Sequence, residues 1–218
     1  TSPSYINYPD CFVQINKKLN DPKIIILIRD PIKRSYSNYL HLIREQRETY
    51  SFEKALDLEF SRKEQMFSDF WFYKSNSYYY EKILEAKRSF TNVLVVTQEE
   101  LSSDTQNTLK KIYKFLGANT EFTPKNLKKK YNKGGLYKKN IIKNFVFKQG
   151  EIKNLFKRVF DISPWMKDLK NRVISNFHYK PKPIDTVLEK KLIKDFQNEV
   201  MKIKSLGINT SLWNNKFF

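Results

Sequence analysis

The segment that most constrains the fold is Lys23 to Arg44, KIIILIRDPIKRSYSNYLHLIR. Ile24 to Ile28 is a short, continuous apolar run rich in β-branched residues. Such a run fits a strand covered on both faces, as in a parallel sheet. Arg29 stands at its C-terminal end. Asp30 is a good N-cap and Pro31 a good first helical residue, so a helix opens at once. Ile32, Tyr36, Tyr39, Leu40 and Ile43 recur at helical spacing and predict the inward face. At about 100° per residue, Arg34, Ser37, Asn38 and His41 share the other face. A guanidinium at a strand end is thus followed by a polar helix face with a second guanidinium, a hydroxyl and an imidazole. In open α/β sheets ligands bind beyond the carboxyl ends of strands. These residue types suit an anion with several oxygens, such as a phosphate.

Taken residue by residue, the segment resembles the 3′-phosphate-binding segment of the sulfotransferases that use 3′-phosphoadenosine 5′-phosphosulfate. Theirs is a hydrophobic strand followed by Arg-x-Pro-x-x-Arg-x-x-Ser-x-Tyr. Arg29, Pro31, Arg34, Ser37 and Tyr39 occupy those positions here, with Asp30 at the capping position between. The resemblance assigns the 3′-phosphate to Arg29 and Ser37 and makes Arg34 a ligand contact or a structural pair. The match is closest to the carbohydrate branch, the heparan-sulfate-type and related bacterial enzymes. Its N-sulfotransferases place a His four residues after the Ser, near the reacting centre, and His41 has that spacing. Singly, an Arg at a strand end or a Ser in a helix is an ordinary surface residue. The spacing within eleven residues, at a strand-to-helix junction, carries the functional reading.

The rest of the chain is compatible with the same family. Thr1 to Tyr8 resembles its Ser/Thr-Pro-x-Tyr stretch. A helix is expected from Pro9 with Phe12, Val13, Ile15 and Leu19 as its apolar positions, broken by Asn20, Asp21 and Pro22. Ser51 caps a short helix. Phe67, Phe70, Trp71, Phe72 and Tyr73 are expected mainly in the core. A helix over Asn76 to Arg88, a strand over Asn92 to Val96, and a helix from Asp104 closed by Gly117 follow. The order strand–helix–helix–strand implies a parallel, right-handed crossover.

Lys125 to Asn140 is a basic loop whose Asn132, Gly135 and Lys138 match the Asn, Gly and Arg of a family stretch that folds over the 3′-phosphate. Tyr137 and Lys139 depart from it. Helical pieces are expected over Phe145 to Phe177. After the stiff Lys180 to Pro183, Asp185 to Ser205 is the longest amphipathic helix, with Val187, Leu188, Leu192, Ile193, Phe196, Val200 and Ile203 inward. Leu206-Gly207, Ser211 and Trp213 resemble the way this branch ends.

The 218 residues suffice for one domain with a real core. The net charge of +18 is uneven: residues 121–160 hold twelve Lys plus Arg and two acidic residues. That surplus suits an anionic nucleotide or polysaccharide. No recognisable nucleic-acid module accompanies it, so nucleic acid is not the expected partner. The single Cys11 fits a reducing, cytoplasmic compartment. No run approaches a membrane span.

The resemblance therefore implies an α/β fold, a parallel sheet flanked by helices in the P-loop, nucleoside-kinase-like architecture of these enzymes. It implies one domain over residues 1–218, N-terminally incomplete. Family members begin with a glycine-rich loop carrying a Lys that cradles the 5′-phosphosulfate. Here the only double glycine is Gly134-Gly135, far downstream. The chain starts at Thr1 rather than Met, which fits a fragment. The implied reaction is sulfuryl transfer to a hydroxyl or amine, of a carbohydrate, with His41 at the acceptor and no metal. Gly135 and Lys138 would close over the donor. Two other classes stand beside it. A kinase would need a GxxxxGK[ST] motif, which is missing. A non-catalytic anion-binding protein would explain the charge but not the Arg and Ser spacing.

Overall fold

The computed structural model describes residues 4–127, 136–137, 178–179 and 181–218, with backbone only at 136–137 and 178–179. The described elements run α1 Pro9–Leu19, β1 Ile24–Ile28, α2 Pro31–Arg44, α3 Phe52–Asp57, α4 Glu59–Glu64, α5 Tyr80–Ser89, β2 Val93–Thr97, α6 Gln98–Ser103, α7 Thr105–Leu116, β3 Leu136–Tyr137, β4 His178–Tyr179 and α8 Thr186–Ser205. β1 and β2 pair in parallel, from Ile24 opposite Val93 to Ile28 opposite Thr97. β3 and β4 pair antiparallel, Leu136 opposite Tyr179 and Tyr137 opposite His178. The expected α/β class, a parallel sheet with flanking helices, is the observed one. Gly135 and Lys138, and the helical pieces expected over 145–177, lie outside the described residues.

Local chemistry explains the boundaries. Asn20 and Asp21 both hold positive φ, at 53° and 55°, a region that Asn and Asp enter at low cost. The chain therefore turns sharply between α1 and β1. Thr97 and Glu100 form a capping box that opens α6 where β2 ends. Gly117, at φ 78°, closes α7 as its position predicts.

One strand expectation needs correction. β1 is covered on one face only. Ile26 and Ile28 are buried, but Leu27 is 54% exposed and Ile25 38%. Alternate side chains leave opposite faces of a strand, and a uniform run of Ile and Leu does not say which face is covered.

The core lies between the buried face of β1 and helices α1, α2, α5 and α8. Phe12 packs edge-on against Phe90, with ring centroids 5.7 Å apart. α8 buries Leu188, Leu192, Phe196, Val200 and Ile203 along one stripe, each contributing roughly 1.5–3 kcal/mol of transfer free energy. Val187 is exposed, as are Val13 and Leu19 of α1, so the apolar stripes are narrower than the sequence suggests. In α2 the buried positions are Ile32, Ser35 and Leu42. Tyr36, Tyr39 and Ile43 are half-buried beside that line. Of the aromatic residues between Phe67 and Tyr73 only Tyr73 is buried, and Phe67 and Phe70 are exposed. The expectation of a mainly buried aromatic segment is thereby corrected. Its irregular spacing makes no single face, so one element cannot bury them together.

A buried ion pair ties α4 and Tyr73 to the loop that follows α2. Arg62 donates to Glu48 through Nη1 at 2.6 Å and Nη2 at 3.1 Å. The Tyr73 hydroxyl donates to the same carboxylate at 2.7 Å, and the backbone amides of Thr49 and Tyr50 complete its shell. Burial alone would raise the Glu48 carboxyl. The hydrogen bonds from Arg62, Tyr73 and Tyr50 outweigh it and hold the carboxyl below the ordinary range. A group depressed in the folded state stabilises above its unfolded pKa and loses that contribution as pH falls through the folded value. Truncating one member of such a pair leaves the other charge buried. Arg62→Ala is expected to cost about 3–5 kcal/mol in urea unfolding at pH 7. Glu48→Gln is expected to flatten the loss of stability on acidification below about pH 4.

Candidate functional site

The carboxyl end of β1 is organised by Asp30. Its side chain is fully buried. Oδ1 accepts from the amides of Ile32 and Lys33, and Oδ2 from the amide of Asn214. The first bonds cap α2, as expected of Asp before Pro. The third fastens the C-terminal segment to the same point. Because the carboxylate already occupies the first amides of α2, an anion here must be held by side chains rather than by the helix N-terminus.

Arg29 precedes it. Its side chain is 35% exposed and lies 3.9 Å from Glu99 Oε1, too far for a hydrogen bond. Its Nε is buried without a hydrogen-bond partner. Ser37 is exposed on α2, with no hydrogen bond to another described residue. Both side chains that the sequence assigns to phosphate thus keep unengaged donors, Arg29 at the end of β1 and Ser37 on α2.

The other residues of that helix face are engaged. Arg34 Nη1 donates to the Tyr73 carbonyl at 3.3 Å. Burial pushes its guanidinium down, opposed by Tyr79, Glu59 and Asp69. Ser35, which the sequence reading passed over, has its hydroxyl 2.8 Å from the Pro31 carbonyl, 2.9 Å from the Tyr73 carbonyl and 2.8 Å from the Ser77 hydroxyl, and its one proton is donated to one of these at a time. Asn38 Nδ2 donates to the Phe70 carbonyl at 2.7 Å. Together these bonds lash the segment between α4 and α5 to α2.

His41 Nδ1 lies 2.9 Å from Arg44 Nη2. A guanidinium can only donate, so Nδ1 accepts and Nε2 carries the proton of the neutral ring. Beside the helix face, Arg47 lies over Trp71 at 4.4 Å, and Phe67 meets Trp71 edge-on at 5.4 Å. β3 packs against α2, and the Tyr36 hydroxyl donates to the Lys182 carbonyl at 2.6 Å.

Lys82 gave no signal in the sequence. Its Nζ donates to Asn7 Oδ1 at 2.9 Å and the Ser75 carbonyl at 3.1 Å. Asn7 in turn donates to Asp69 at 2.9 Å. Burial, and then the like charge of Arg34, pushes the Lys82 ammonium down from 10.5 to about 8. Only tertiary packing buries a lysine on an amphipathic helix, so no spacing rule would find it. Among the described residues no group of His, Cys, Asp and Glu could hold a metal ion, and no helix is long and apolar enough to cross a membrane.

A family model described as the sulfotransferase family matches residues 2–122, just over half of the chain. Among solved structures, the fold is similar to a sulfotransferase from Alicyclobacillus acidocaldarius, with a TM-score of 0.63 and 22% sequence identity. The match covers 96% of this chain and 64% of that one. No curated protein matches the chain significantly in sequence. For Lys82, a titration followed by NMR at its Cε protons is expected to show a midpoint of about 8. Arg34→Met should move that midpoint upward by removing a like charge.

Proposed function

The chain belongs to the sulfotransferase family, and from that premise we propose that it serves transfer of a sulfuryl group from 3′-phosphoadenosine 5′-phosphosulfate to a carbohydrate hydroxyl or amine. The observation that carries this reading is Arg29. It is a cation at the carboxyl end of a parallel strand whose side chain makes no hydrogen bond to another described residue, followed on α2 by the exposed Ser37. In this reading Arg29 and Ser37 hold the 3′-phosphate. Gly135 and Lys138, outside the described residues, would close over it as the family resemblance implies. Arg34 adds positive charge while fixing the Tyr73 backbone. The Nε2–H of His41 faces the acceptor. A lone pair of the acceptor attacks sulfur, the bond from sulfur to the 5′-phosphate oxygen breaks with its electron pair on that oxygen, adenosine 3′,5′-bisphosphate leaves, and the acceptor's proton passes to water. Binding fixes the line of attack, and cations balance the charge on the leaving group. Residues 1–218 would act as one sulfotransferase domain. The single cysteine supports a cytoplasmic setting.

A second reading rests on a specific feature. Among the described residues no glycine-rich loop lies between a strand and a helix, the device that would cradle the 5′-phosphosulfate. The chain would then bind the 3′-phosphate end of the nucleotide without transferring. Calorimetry separates these from a generic basic surface. Adenosine 3′,5′-bisphosphate is expected to bind in the micromolar range, and adenosine 5′-phosphate and ATP much more weakly. Arg29→Ala should weaken the bisphosphate about 10- to 100-fold, the value of a charge-assisted bond. Equal, strongly salt-dependent binding of all three nucleotides would sink both readings. Sulfated product from the labelled donor and a carbohydrate acceptor would decide for transfer.

A further inference from the structure

Two arginines of this chain meet carboxylates in opposite ways. Arg62 gives both ends of its fork to Glu48 and is buried with it. Both of its Nη groups are engaged. Arg29 faces Glu99 at 3.9 Å, within Coulombic reach but beyond hydrogen-bond distance. Glu99 has its own partners: Oε2 accepts from the Trp213 indole Nε1 at 3.1 Å, and Oε1 from the Asp30 amide at 3.4 Å. Its side chain is 12% exposed. Its lone pairs are thus turned to two fixed donors, and the Arg29 fork stays open.

We propose that Glu99 is the positioning residue for Arg29, held in place by Trp213, and that this pair sets recognition of the donor's 3′-phosphate. The inference rests on the donor-site reading above. A flexible arginine at a strand end samples many rotamers, and ordering it on binding costs affinity. A carboxylate that attracts without bonding confines the guanidinium and leaves its Nη donors for the ligand. A carboxylate that bonded it directly would compete with the phosphate, and no carboxylate at all would leave the side chain loose. Glu99 can hold the middle distance because it is anchored from the C-terminal end of the chain. The Asn214 amide, next in sequence, bonds Asp30. Trp213 and Asn214, adjacent to each other and far from Arg29 in sequence, thus hold the two residues that frame it, Glu99 and Asp30.

Calorimetry on the full chain tests this with Glu99→Gln, which keeps an acceptor and removes the charge, and with Trp213→Phe, which keeps a ring and removes the donor. The readout is the ratio of affinities for adenosine 3′,5′-bisphosphate and adenosine 5′-phosphate, which a general loss of folding would not change selectively. Each variant is expected to lower that ratio about tenfold, the scale on which orienting partners act at ligand-binding side chains. The effect of Glu99→Gln should vanish in an Arg29→Ala background, because the partner it orients is gone. An unchanged or tighter bisphosphate affinity in Glu99→Gln, with Arg29→Ala still harmful, overturns the positioning role and leaves the donor site standing. A ratio untouched by Arg29→Ala itself overturns the donor site, and this proposal with it.

Discussion

The buried carboxylate of Asp30 is the interaction on which the rest of the structure depends. A fully buried carboxylate is tolerable only when its oxygens are hydrogen-bonded. Here the bonds come from three amides of two distant segments, at Ile32, Lys33 and Asn214. One residue thereby ends a strand, begins a helix and fixes the C-terminus. Every candidate ligand group on α2 takes its position from that cap. The carboxylate also fills the positive end of the helix, so an anion there would meet side chains rather than the first helix amides.

Around this point the molecule separates groups that build from groups that remain available. Arg62, Ser35 and Asn38 bond inward, to Glu48, to the Tyr73 carbonyl and to the Phe70 carbonyl. Arg29 and Ser37 do not. Arg34 stands between, half-buried and bonded to one carbonyl. The aromatic segment from Phe67 to Tyr73 follows the same division. Tyr73 is locked by Glu48 in the core, while Phe67 and Phe70 stay at the surface beside Arg47 and Trp71.

What the sequence determined by itself was local. A run of five apolar residues predicted β1, Asp-Pro predicted the cap, and Gly117 predicted the end of α7. Those outcomes follow from backbone sterics and nearest-neighbour hydrogen bonds, which a short window contains. The spacing from Arg29 to His41 singled out the family for the same reason: the residues lie on one strand end and one helix.

Tertiary structure alone decided which faces are covered and which polar groups are already engaged. Nothing in Ile24 to Ile28 says that Leu27 is exposed. Nothing near Arg62 or Lys82 says that one is bonded to Glu48 and the other desolvated beside Arg34. Nothing near residue 29 says that Trp213 anchors the carboxylate facing Arg29. Burial and long-range hydrogen bonds join residues 14 to 184 positions apart. They depend on what the remainder of the chain brings to the spot, and no periodicity within one element records it.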